Sequence, residues 1–176
     1  MGCITVVDHN NAEVSNLHRQ IINTEGGKGT SKARYARDAM RSLNITVSVM
    51  AVTEPLNWDN AMDLVRGKDC VVDTSDNPCT QYLINDSCVL AGRELETAAI
   101  TNGVSGRGGG PILLVRGRAM GTEGQITVYN HRGGRGCYQC LYPKPNPMVV
   151  RNEFIAKDKG LIRKNGRVIS APVRIR

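Results

Sequence analysis

The 176 residues contain no apolar run long enough to cross a bilayer as a helix. They do not open with a basic, apolar leader either, since residues 4–7 already read as a strand. Together these absences point to a cytosolic protein. Without a secretory context the six cysteines (Cys3, Cys70, Cys79, Cys88, Cys137 and Cys140) do not form a disulfide framework. Cys3, Cys70 and Cys88 lie in apolar surroundings and are expected to pack as small hydrophobes. A Walker A loop is missing too. Residues 24–31, TEGGKGTS, are glycine-rich, but Gly29 follows Lys28, and Ile22 stands where the first glycine of GxxxxGK[ST] belongs. No glycine fingerprint or catalytic dyad supports an NAD-type dehydrogenase.

Charge is plentiful but uneven. The net charge is +7; residues 1–92 hold 8 Lys or Arg against 11 Asp or Glu, and residues 93–176 hold 15 against 5. The basic half suits an acidic protein or a nucleic acid. No nucleic-acid recognition motif accompanies it, so direct nucleic-acid binding is not expected. The length suits one domain with a sizeable core.

The chain is organised around residues 3–20, CITVVDHNNAEVSNLHRQ. An apolar run ends on Asp8, and a dense polar segment follows. A buried strand that delivers an acid at its carboxyl end is a common start to a nucleotide site, where the acid can accept two ribose hydrogen bonds. A strand ending in an Asp turn is the plainer alternative. Ser31 is placed to cap a helix over residues 32–43, with Ala33, Ala36, Ala39, Met40 and Leu43 as its apolar side. Lys32 falls in its first turn, unfavourable for the helix dipole unless a phosphate sits there.

Residues 46–52 alternate as a strand, residues 57–65 form a short helix stopped by Gly67, and residues 69–73 are a second apolar strand. TSDN follows, and Pro78 opens a helix to about residue 91. Asp76 thus lies at the carboxyl end of the sheet, as a ligand residue or as a helix cap. Residues 94–100 read as a strand. Residues 101–122 hold seven glycines and three arginines; within them 111–115 suit a short strand or an exposed patch. EGQITVY, 123–129, is a further strand. Cys137 and Cys140 form a CxxC pair, half of a structural zinc site, and His131 is the nearest further ligand in sequence. Residues 151–176 carry eight basic and two acidic groups without amphipathic period, and read as a solvated tail.

Several of these stretches resemble one family. VVDHN with SNLHRQ, the SDN loop, NPCTQYLIND, EGQITVY and CYQC resemble the ThiF/MoeB-like adenylating domain. It is shared by the molybdopterin-synthase and thiamine-pathway adenylyltransferases and by ubiquitin-activating enzymes. The resemblance covers roughly 3–100 and 123–147, and favours the molybdopterin or tRNA-thiolation activators. It implies an α/β, Rossmann-like fold with a mostly parallel sheet and helices on both faces. Residues 4–7 and 69–73 would then be central strands. It further implies that Asp8 binds the ribose of ATP, that Asn16, Arg19, Gln20 and Lys32 face the phosphates, and that Asp76, followed by Asn77, lies by the α-phosphate and Mg²⁺. Asn10 departs from the family, where a second Asp is usual. The implied reaction is adenylation of the C-terminal glycine of a ubiquitin-fold sulfur-carrier protein. The implied assembly is a homodimer or a pair with a complete homologue.

Three further departures matter. The family's domain starts with a strand and a GxGGLG loop, and the sequence begins at what resembles the second strand. Residues 101–122 look inserted, so the partial domain is placed at 1–147 and a divergent basic tail at 148–176. The second CxxC of the zinc site is missing, and VVRNEF stands where a sulfurtransferase cysteine is usual. A non-catalytic paralogue that binds a complete subunit or a ubiquitin-like protein is the alternative.

Overall fold

In the computed structural model, residues 2–101, 112–120, 122–131 and 136–143 are described, with short strands at 163–164 and 167–168. β1 (Cys3–Val7) lies parallel to β2 (Ser48–Val52), Ile4 opposite Val49. Parallel neighbours need a crossover; here it is a long loop followed by α1 (Lys32–Leu43). Ser31 caps α1 as expected, its Oγ accepting from the Arg34 N–H at 3.4 Å. Ala33 is fully buried in its first turn, and α1 packs on β2 and β1.

α2 (Ala61–Val65) ends before Gly67, whose φ of 70° lies in the left-handed region that favours glycine. β3 (Cys70–Asp73) follows, then α3 (Pro78–Thr101), β4 (Leu113–Met120), β5 (Glu123–Tyr129) and α4 (Tyr138–Leu141). β4 is parallel to β3, Asp73 opposite Arg116, and antiparallel to β5. β6 (Arg163–Lys164) and β7 (Arg167–Val168) form an antiparallel ribbon; the rest of the expected basic tail lies outside the described residues. The core joins α2 and α3 to the β3–β4–β5 sheet through Val65, Ile84, Cys88, Ala91, Ile112, Leu114, Tyr129 and Tyr138. No helix among the described residues is long and apolar enough to cross a membrane.

The fold is α/β and Rossmann-like, with three expectations corrected. The strands form separate sheets, β1–β2 and β3–β4–β5; pairing is mostly parallel as expected, with β4–β5 antiparallel. β1 and β3 are therefore edges among the described residues, not central strands. Ile4, Val7 and Val72 stay 43%, 38% and 67% exposed. A continuous apolar run reports two faces suited to burial, not how many neighbours the strand has.

Residues 94–100 are helical, not a strand. Leu, Glu and Ala there favour helix, and Arg66 of α2 clamps Glu94 with two hydrogen bonds of 2.9 and 3.2 Å. Cys3 and Cys70 are exposed rather than packed, because they sit on the two open strands. Only Cys88 of that trio is buried. Of the two alternatives for residues 111–115 the strand is found: β4 is the middle strand of the second sheet, with Ile112 and Leu114 in the core.

Candidate active site

At the end of β1 the Asp8 N–H still donates to the Val52 carbonyl, at 3.1 Å. The chain then turns, and Asp8 Oδ1 accepts from the Asn10 N–H at 2.9 Å. The Asn10 carbonyl accepts from the Lys32 N–H at 2.9 Å, and Ala12 pairs with Thr30 and Gly29 at 2.8 and 2.9 Å. These bonds close the neck of the loop, so Asp8 and the first residue of α1 are held side by side. Of the glycines within it, Gly29 takes a left-handed φ of 80° and Gly27 serves packing. A Cβ on Gly27 would come within 2.5 Å of the Tyr35 ring, whose hydroxyl shares a 2.6 Å hydrogen bond with Thr24 Oγ1.

Further out on the same loop, Asn16, Arg19 and Gln20 form one exposed knot. The Asn16 carbonyl accepts from the N–H groups of Arg19 and Gln20 at 3.1 and 3.0 Å, and Asn16 Oδ1 accepts from Arg19 Nη2. Gln20 Oε1 accepts from Asn23 Nδ2 at 2.7 Å. Neither Arg19 nor Lys32 makes an ion pair among the described residues, which leaves two cations on this loop for an anionic ligand.

The second part of the site follows β3. Asp73 is buried and accepts from the Ser75 N–H at 2.8 Å. Asn77, not Asp76, caps α3, accepting from the N–H groups of Cys79 and Thr80 at 2.8 and 3.4 Å. Of the two sequence alternatives for Asp76, the cap is thereby excluded. Its carboxylate is exposed and without a hydrogen bond or ion pair among the described residues. No hydrogen bond or ion pair among them links the Asp8–Lys32 loop to Asp76 and Asn77. A groove lined by Met62, Arg66, Leu90, Glu94 and Thr97 between α2 and α3 holds none of these residues.

The CxxC turn is tied to α3 by polar groups that sequence reading did not single out. Asn85, fully buried, accepts from the Tyr138 N–H at 2.9 Å, and Gln81 accepts from the Tyr138 hydroxyl at 3.3 Å. The Tyr82 hydroxyl donates to the Tyr142 carbonyl at 2.6 Å. The available signal was Gln81, Asn85 and Cys88 at i, i+4 and i+7, one face of the helix. The sulfurs of Cys137 and Cys140 are 3.4 Å apart. Among the described residues no third ligand, His131 included, joins them in a group able to hold a metal.

Residues 1–160 match the ThiF family along their length. The chain belongs to the ThiF family. It is 41% identical over 147 residues to the adenylyltransferase and sulfurtransferase MOCS3 of Arabidopsis thaliana, covering 84% of this chain and 27% of that protein. Identity to its Mus musculus counterpart is 44%, over 84% and 28%. This ThiF-family chain therefore spans about a quarter of the length of those relatives. Among solved structures, Escherichia coli MccB with ATP shares its fold, with a TM-score of 0.61 and 21% identity over 81% of this chain and 37% of that one.

Proposed function

We propose that the chain supplies an ATP-dependent adenylating unit over residues 1–147, followed by a divergent tail. Its substrate would be the C-terminal glycine of a ubiquitin-fold sulfur carrier serving molybdenum-cofactor synthesis or tRNA thiolation. The observation that carries this reading is Asp76: it sits at the carboxyl end of β3, exposed and released from capping by Asn77. ThiF membership and the MOCS3-type relatives support the substrate class.

In the reaction a carboxylate oxygen of the carrier attacks the α-phosphorus of ATP. A P–O bond forms, the bond to pyrophosphate breaks, and the acyl-adenylate remains. Arg19 and Lys32 neutralise phosphate charge, Asp8 takes the ribose hydroxyls, and Asn16 and Gln20 hold the Arg19 knot in place. Positioning and electrostatics supply the rate, and no side chain need be a covalent nucleophile. Mg²⁺ fits the donor set, since it is commonly held by one or two carboxylates with water and substrate phosphates; Asp76 would hold it, and the ion would neutralise charge on the phosphates. Zinc does not fit the described residues, because Cys137 and Cys140 are two ligands where four are wanted.

The test is carrier-dependent ATP–pyrophosphate exchange. Label should enter ATP only when the ubiquitin-fold protein carries a free C-terminal glycine. Exchange that ignores the carrier would defeat the reading. The rival role, a non-catalytic partner of a complete subunit, would show carrier or subunit binding with no exchange in any form of the chain.

A further inference from the structure

Arg116 is left over from the functions assigned so far. It stands opposite Asp73 on β4, where β4 runs on beside the loop that carries Asp76. The next residue, Gly117, lies beneath Thr74, whose Cγ2 would be 3.8 Å from a Cβ placed there. Arg116 is half-buried, with its guanidinium carbon 4.6 Å from the centre of the Tyr138 ring. Its Nε is buried with no hydrogen-bond partner, and it makes no ion pair among the described residues. Asp73, the nearest acid by register, already accepts from the Ser75 N–H. Two residues further along that loop, the Ser75 hydroxyl is also buried and unpartnered.

Two groups able to donate, one of them cationic, are thus orphaned among the described residues at the carboxyl end of β3, Arg116 opposite its last residue and Ser75 two residues beyond it. Leaving such groups unpaired is costly. A ligand that supplies acceptor oxygens and a negative charge satisfies both. The stacked Tyr138 ring holds the planar guanidinium fixed, which favours a flat, two-oxygen partner. Arg19 and Lys32, the cations assigned to phosphate, belong to the other loop.

We propose that Arg116, assisted by Ser75, binds the terminal carboxylate of the peptide to be activated. This rests on the adenylation reading and names the group that captures its second substrate. Arg118, two residues on and on the same face of β4, adds positive charge at the entrance.

The probe is a dye-labelled peptide ending in a free glycine carboxylate, compared with the same peptide as its C-terminal amide, by fluorescence anisotropy. Nucleotide binding is followed separately with a fluorescent ATP analogue, and folding by thermal melting. The full chain should bind the acid at least about tenfold more tightly than the amide. Arg116→Met should erase that preference with nucleotide affinity unchanged, Arg116→Lys should keep part of it, and Ser75→Ala should reduce it several-fold. Equal or undetectable binding of acid and amide by the full chain would overturn the proposal. So would a preference that survives in Arg116→Met, or a loss confined to the nucleotide, which would make Arg116 a phosphate ligand. Acid binding through Arg116 without nucleotide binding would keep this inference and defeat the adenylation reading.

Discussion

Asp76 and Asn77 are neighbours with different tasks, and substitution separates them. Asn77→Ala removes a cap accepting two N–H groups at the start of α3 and should cost about 1 kcal/mol of stability. Asp76→Ala touches no partner, so its melting temperature should stay within the shift of about 0.5 kcal/mol usual for surface changes. It should instead lose adenylation. Thermal melts and exchange assays on both variants read the two effects independently. A second residue-scale effect comes from Cys88. Burial pushes its thiol from an ordinary 9.0 up to about 12. A group whose folded pKa is raised gives its stability below the unfolded value and loses it as pH rises through the folded one. Stability should therefore decline between pH 9 and about 12. Cys88→Ala should flatten that decline in denaturant titrations, leaving the part due to Tyr82, raised to about 12 by burial, and to Tyr129, which burial also raises.

Among the elements, α1 and β5 were legible because their ends carry local signals. Ser31 caps one, and EGQITVY is bounded by turn residues. The Asp8 turn was legible for the same reason, whereas the residues around Asp76 left cap and ligand open. α3 was only half legible. Its continuation past residue 91 follows helix-favouring Leu, Glu and Ala, and Arg66, 28 positions from Glu94, adds a contact that no local window contains. Edge status of β1 and β3 is equally non-local. So is the role of Asn85, whose Oδ1 is spent on the Tyr138 N–H of α4. Asn85→Leu would leave that donor unpaired in the core and should destabilise by about 1–3 kcal/mol. Urea titration checks this; an unchanged midpoint would show that α4 is held by its ring contacts alone.

At the scale of the molecule, the β3–β4–β5 sheet has two unlike faces. Leu114 and Tyr129 on one are buried with Tyr138 against α3. On the other, Val72, Val115 and Val128 form a cross-strand row, and Ile126 is 78% exposed beside it. With β1 and β3 also unpaired along one side among the described residues, the isolated chain should self-associate. Sedimentation should show a concentration-dependent rise in mass that Ile126→Lys reduces, at little cost in stability.

If the chain adenylates a carrier, Arg19, Lys32 and Asp76 act on one molecule of ATP. Loss of even one preorganised donor costs about 3 kcal/mol, roughly a hundredfold in rate. The most direct measurement is ATP–pyrophosphate exchange with the ubiquitin-fold carrier. It compares this chain with its Arg19→Ala, Lys32→Ala and Asp76→Ala forms. Exchange should require the carrier and fall by roughly a hundredfold or more in each variant. Carrier-independent exchange, or full exchange by Asp76→Ala, would contradict adenylation at this site.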